Sequence, residues 1–259
     1  MRGTDDLTIT TVIPTYRRPQ LLRRAVASAL TQTYPQVRVS IHDNASGDET
    51  GHVVTELMKN DSRVTYDCHP ADIGSYGNFN HGIRSVRTPF FSLLSDDDFL
   101  VPDFYARAME CFARYPDAGF VCMPTMVIDG QGKVLSPPMQ VEETRFYLPP
   151  QGFIGLVNGT LPNTWTGIVF RKEIADAIGL IDTEVGPFAD GGYVWRAGAR
   201  FPFVVATGVA GVLVGHNNSI SCTTPPLSSE WPIRWKKMVD SALILHSRWR
   251  DPQAAFAEI

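Results

Sequence analysis

Hydrophobic positions along this chain change period from two to about 3.6 and back, several times over. Residues 7–13, LTITTVI, are β-branched and read as a strand, and residues 19–30 then place Leu21, Leu22, Ala25, Val26, Ala29 and Leu30 on one helical face. VRVSIH, residues 37–42, alternates Val37, Val39 and Ile41 as a second strand, and DNASGDET leads into a helical pattern carrying Val53, Val54, Leu57 and Met58. A third strand is expected near residues 64–66, a helix over 76–86 and an apolar strand over 90–94. Strands alternating with helices imply an α/β protein with parallel pairing and helices on both faces of the sheet. In such sheets ligands collect beyond the carboxyl ends of the strands. Pro14, Thr15, Tyr16, Asp43, Asp96, Asp97 and Asp98 all fall at that edge.

After a helix expected over residues 103–114 the rhythm changes. AGFVCMPTMVIDGQGKVLS reads as two strands around a Gly-containing turn, and a looser Pro- and Gly-rich region runs on to Asn163. Helices are expected over 172–178 and 193–199, with an apolar segment over 203–214. No repeat or long linker separates free domains, so residues 1–125 and 126–226 are expected to be two halves sharing one core, followed by a helical tail over 227–259. In that tail Trp231, Trp235, Met238, Ala242 and Leu245 recur at helical spacing between basic residues. The pattern suits packing on the main body, a homodimer contact or a membrane interface.

The 259 residues are 44% hydrophobic and 19% charged, enough for a sizeable core. With 23 Lys and Arg against 27 Asp and Glu the formal charge is -4, which gives no broad electrostatic reason to bind nucleic acid. Cys68, Cys111, Cys122 and Cys222 form no C-x-x-C pair and read as reduced thiols. No stretch resembles a signal peptide and no apolar run approaches a membrane span, so the expected compartment is the cytoplasm, with peripheral contact at the inner membrane face open through the tail.

The apolar strand at 90–94 stops at Ser95 and then sets Asp96, Asp97 and Asp98 side by side. Each carboxylate repels its neighbours, so the triplet is costly unless a cation or hydrogen-bond donors compensate. VIPTYRR, IHDNASGDET, IGSYGNFNHGI, LLSDDDFLVPD, FADGGYVWRAG and VGHNNS fall in an order and spacing that resembles family 2 nucleotide-sugar glycosyltransferases over about residues 7–220. The resemblance implies a GT-A fold: a Rossmann-like, mostly parallel central sheet with flanking helices and a smaller mixed sheet on the acceptor side. It also implies a nucleotide-sugar donor, UDP- or dTDP-linked, and a carbohydrate, lipid-linked or small-molecule acceptor.

The family's motifs map onto single positions. Asp97 matches the metal-touching acid of the D-x-D-like motif, with Mg²⁺ or Mn²⁺ as the implied cofactor, and Asp96 the acid before it, a nucleotide-sugar-binding position near the ribose or metal shell. Pro14, Thr15, Tyr16, Asp43, Asn44, Gly74, Asn78 and Asn80 match nucleotide-sugar-binding positions. Phe79 stands where the family often has Arg, with Arg84 a candidate to replace it. Asp190 matches the catalytic base, His216 a second metal or diphosphate contact, and Trp165 and Thr166 the floor beneath sugar and acceptor. Bottom-up, Asp48 and Asp103 read as helix caps and His81 as a surface histidine. One base and one metal without a placed covalent nucleophile imply inversion of the anomeric carbon. Two other readings share the architecture: a non-catalytic nucleotide-sugar-binding scaffold, and a sugar nucleotidyltransferase, for which PTYRRPQ lacks the expected glycines.

Overall fold

The structure is a computed structural model that describes residues 7–215 and 231–246. The N-terminal half runs β1 (Ile9–Thr15), α1 (Pro19–Leu30), β2 (Val37–Asp43), α2 (Thr50–Asn60), β3 (Val64–Cys68), α3 (Ser75–Ser85) and β4 (Phe90–Leu93). There follow β5 (Phe99–Leu100), α4 (Phe104–Arg114), β6 (Phe120–Cys122), β7 (Thr125–Asp129), β8 (Val134–Ser136), β9 (Arg145–Tyr147) and α5 (Gln151–Val157). The last elements are β10 (Ile168–Arg171), α6 (Lys172–Ile178), α7 (Ala189–Arg200), β11 (Phe203–Val205), β12 (Gly211–Gly215) and α8 (Trp231–His246).

An eight-stranded sheet has the order β3-β2-β1-β4-β10-β6-β11-β9, and β5-β12-β7-β8 form a second sheet of four. The β3-β2-β1-β4 block is parallel throughout, as the alternation of strand and helix requires. β10 then enters antiparallel between β4 and β6, so strands from both halves of the chain share one sheet. Period-two alternation divides the core between its faces. Val12, Phe91, Phe120, Phe170 and Phe203 pack on one side with Tyr193 of α7, and Ile13, Ile41, Val121, Val169 and Val204 on the other with Phe104 and Tyr105 of α4.

Two apolar runs each divide between the sheets. Phe120–Cys122 pairs in the large sheet, and after Met123 and Pro124 the chain crosses into β7 of the small one. Proline has no N–H to donate, so the ladder breaks there. The run over 203–214 splits likewise into β11 and β12 around Gly208, whose φ of 89° only glycine adopts at low cost. The Pro- and Gly-rich stretch read as irregular holds β9 and α5.

Beneath the junction of the two sheets lies a short 3₁₀ turn, Trp165–Gly167. Met123 N donates to Gly167 O at 2.9 Å, and a Cβ on Gly167 would lie 2.3 Å from the Met123 carbonyl oxygen. Backbone cannot step aside as a side chain can. Gly167→Ala is therefore expected to cost about 1–3 kcal/mol, read as a lowered thermal midpoint.

α8 settles one face against α7. Met238, Ala242 and Leu245 are buried, and the Trp235 and Trp195 rings meet edge to face at 5.9 Å. Packing on the main body thus accounts for this part of the tail, while Ile233, Leu243 and Ile244 remain exposed. Among the described residues no helix is long and apolar enough to cross a membrane. Cys68 is exposed and Cys111 and Cys122 are buried, all as free thiols, and Cys222 lies outside the described residues.

Candidate active site

β1 and β2 end in loops with unusual backbone. Arg17 and Ala45 take φ of 55° and 61°, the left-handed region that side-chain-bearing residues avoid. The turns brace each other: Arg17 N donates to Ser46 Oγ at 2.8 Å and Arg17 Nε to Ser46 O at 3.0 Å. This fold of the loop delivers Arg18 toward the end of β4.

There Arg18 Nη1 lies 3.1 Å from Asp96 Oδ1 and 2.7 Å from Asp97 Oδ2, bridging the two carboxylates. Thr15 Oγ1 donates to Asp96 Oδ2 at 2.7 Å, and Asp97 is capped from behind by Arg24 Nη2 on its carbonyl. Asp98 turns the other way. Its Oδ1 accepts from Val214 N at 3.0 Å and its Oδ2 from Thr166 Oγ1 at 3.2 Å, tying the acidic turn to β12 and to the Trp165–Gly167 turn.

Burial and mutual repulsion still act on two of the three acids despite these donors. Burial, then the neighbouring Asp97 charge, pushes the Asp96 carboxyl up, and the same two causes push Asp98 up to about 7. Among the described residues Arg18 bridges two buried carboxylates that stand side by side. The donor set, carboxylate oxygens alone, is the kind that Mg²⁺ and Mn²⁺ take. The residues therefore fit such an ion.

Asp98 serves a different end. Asp98→Asn keeps an acceptor for Val214 N and gains a donor for Thr166, whereas Asp98→Ala strands both partners. The expected result is near-native stability for Asn and a loss of about 1–3 kcal/mol per stranded group for Ala, measured by thermal denaturation in the absence of metal.

The carboxylates open onto a cavity of about 570 Å³. Pro14, Thr15, Tyr16 and Asn44 line it from the ends of β1 and β2, and Gly74, Tyr76, Asn78 and Phe79 from the start of α3. Asn44 Oδ1 accepts from Ile73 N at 2.8 Å, which anchors the loop leading to Gly74 (φ 77°) and the helix. Trp165 forms another wall, its ring 4.2 Å from that of Phe79. Asp190, in the first turn of α7, lines the same cavity as Asp96 and Asp97. Burial pushes its carboxyl upward, and its charge adds to the burial that raises the nearby Tyr76 phenol. A carboxylate of raised proton affinity beside an apolar wall is suited to take a proton near neutral pH.

The sequence model of Glycosyl transferase family 2 matches residues 10–179. The chain belongs to this family. Among curated relatives it is 30% identical over 103 residues to the GalNAc(5)-diNAcBac-PP-undecaprenol beta-1,3-glucosyltransferase of Campylobacter jejuni, covering 39% of this chain and 33% of that one. It is 32% identical over 127 residues to the chondroitin synthase of Escherichia coli, covering 48% of this chain and 18% of that one. These matches span well under two thirds of the relatives' own length. Among solved structures, Staphylococcus aureus TarS in complex with UDP-GlcNAc superposes with a TM-score of 0.73 at 11% identity, covering 97% of this chain and 71% of that one. A Pyrobaculum calidifontis mannosyltransferase with GDP-Man and Mn²⁺ gives 0.55 at 18% identity, covering 97% and 67%. The fold is GT-A, in keeping with the large sheet and the small one beside it.

Against the family 2 motifs, three expected site residues stand behind the cavity wall rather than in it. Asp43 is buried, accepting from Ser46 N at 2.9 Å and from the Tyr66 hydroxyl at 2.7 Å. Asn80 clasps the backbone of Ile181 through both ends of its amide, at 2.9 and 2.8 Å. Thr166 is fully buried against Asp98. All three position the wall. Arg84 is exposed and lines no part of the cavity, and Arg18 is the arginine that does. His216 lies outside the described residues. Asp48 accepts from Thr50 N at 2.9 Å at the start of α2, as a cap should, but the Asp103 carboxylate pairs with Arg107 Nε at 3.0 Å instead of capping α4.

Proposed function

We propose that this family 2 glycosyltransferase moves a sugar from a UDP- or dTDP-linked donor onto an acceptor hydroxyl with inversion at the anomeric carbon, and that it requires Mg²⁺ or Mn²⁺. The observation that carries this reading is one cavity with Asp96 and Asp97 on its β4 side and Asp190 at the N-terminus of α7. Asn44, Asn78 and the backbone at Gly74 face the donor's nucleoside. Asp96 and Asp97 hold the cation, which when bound offsets the charge of the diphosphate. Asp190 accepts the proton of the acceptor hydroxyl as that oxygen bonds to the anomeric carbon. The bond from that carbon to the diphosphate breaks, and its electron pair leaves with the phosphate. Attack from the face opposite the leaving group inverts the centre. Trp165 presents its ring to the sugar, and His216 is proposed as a further contact to the metal or diphosphate.

The undecaprenol-linked acceptor in the Campylobacter relative's name supports a lipid-linked acceptor here, in polysaccharide or glycoconjugate assembly. Exposed Ile233, Leu243 and Ile244 on α8 support peripheral contact with the inner face of a membrane from the cytoplasm. The test is a screen of nucleotide sugars by thermal shift with Mn²⁺, followed by release of nucleoside diphosphate in the presence of acceptors. A donor that stabilises the protein and is turned over with inverted product supports the proposal; retained configuration or no turnover of any bound donor rejects it.

A further inference from the structure

Behind the cavity wall, on the face of the large sheet that α3 covers, β2 and β3 run parallel with His42 level with Asp67. His81 comes down on the same place from α3. One ligand atom from each of His42, Asp67 and His81 lies within 4.8 Å of the other two. His81 Nε2 stands 2.6 Å from Asp67 Oδ2, and the His42 and His81 rings are 5.3 Å apart, centre to centre.

His42 is 1% exposed. Its Nε2 meets the Ser40 hydroxyl at 2.9 Å and the Ser85 hydroxyl at 3.3 Å, while the buried Nδ1 has no hydrogen-bond partner among the described residues. Buried polar atoms are nearly always paired, so the orphaned ring nitrogen of His42, in a residue grouped with a second imidazole and a carboxylate, points to a missing partner. A cation is the partner that all three groups share.

We propose that His42, Asp67 and His81 form a binding site for a transition metal of the Zn²⁺ class, separate from the carboxylate site in the cavity. Two imidazoles and one carboxylate are a borderline-soft donor set suited to Zn²⁺, Co²⁺ or Ni²⁺ and poorly matched to Mg²⁺. None of the three residues lines the cavity. Metal bound here joins β2, β3 and α3 at one point and replaces the His81–Asp67 hydrogen bond with bonds to the ion. The effect reaches the donor site through Asn78, which lines the cavity. Its Nδ2 donates to His42 O at 2.7 Å, and its Oδ1 lies 3.0 Å from Nε2 of His69, whose ring abuts that of His81 at 4.5 Å. The site is therefore a brace for the α3 end of the donor pocket.

The test uses the full chain, stripped of metal and held in excess Mg²⁺ to occupy the carboxylate site. Co²⁺ alone is added to read visible absorption, and Zn²⁺ alone to read thermal stability. The expected result is one equivalent of Co²⁺ giving an imidazole-type spectrum, and a rise in Tm of about 5–10 °C with Zn²⁺ at a hundredfold excess over Kd. His81→Ala and Asp67→Asn change side chains that solvent already reaches and avoid disturbing buried His42. Both should abolish the spectrum and the shift, whereas Asp97→Asn should leave both intact. The proposal is overturned if the wild type binds no Co²⁺, if the signal survives His81→Ala, or if Asp97→Asn removes it.

Discussion

Asp190→Asn is expected to lower glycosyl transfer by about 10²–10⁴-fold while leaving nucleotide affinity nearly unchanged. The substitution is almost isosteric, so the first turn of α7 and the cavity outline persist. What disappears is the acid that lines the cavity from the first turn of α7, apart from Asp72 and the β4 cluster. An amide has no lone pair basic enough to take the hydroxyl proton. Because burial lifts the Asp190 carboxyl above the ordinary range, the wild-type rate should rise with pH through an apparent ionisation higher than that of a free aspartate, and the variant's residual rate should lack that limb. Steady-state rates across pH, with nucleoside diphosphate binding measured by calorimetry, check both parts. Turnover within tenfold of wild type would remove Asp190 from the role.

Chelation, or Asp97→Asn, is expected to remove activity by a different route. Pulling a sugar from a nucleoside diphosphate leaves charge on the departing phosphate, and a divalent cation supplies several kcal/mol against it. Taken as about 4 kcal/mol, this corresponds to roughly a 10³-fold loss of rate. Arg18 cannot make up the difference. It already bridges Asp96 and Asp97, and as a monovalent, planar group it neutralises the acids rather than reaching past them. EDTA should therefore silence the wild type, Mg²⁺ or Mn²⁺ should restore it, and Asp97→Asn should respond to neither. Full activity in excess EDTA would show that the acidic turn holds no required metal.

Much of this arrangement could be read from the chain before the fold was known, and the unread parts share a cause. The α1 helix announces itself through an apolar stripe and a proline at its start, and the acidic turn through a charge run that interrupts a buried strand. Asp190 stood out because a motif isolated it. Which polar residues near a motif turn inward is another matter. Asn44 and Asn80 look alike in sequence, yet one lines the cavity and the other clasps Ile181, because helical phase and a loop partner decide the direction. Arg18 escaped notice for a similar reason. In YRRPQ nothing distinguishes it from Arg17, and only the left-handed backbone at Arg17 sends it to the carboxylates. β9 and α5 lay hidden in a stretch whose prolines and glycines mask weak, partly exposed periodicity.

The antiparallel insertion of β10 between β4 and β6 has a bearing on how the chain can be divided. A fragment ending ahead of Ile168 would leave β4 with a bare, strongly apolar margin open to any passing strand, an invitation to aggregate. Since Asp96 and Asp97 hang from one flank of that insertion and the helix with Asp190 packs over it through Tyr193 and Phe170, separately produced portions are expected not to recover turnover when mixed. Melting should accordingly be a single cooperative event, with both halves of the large sheet losing their shape together.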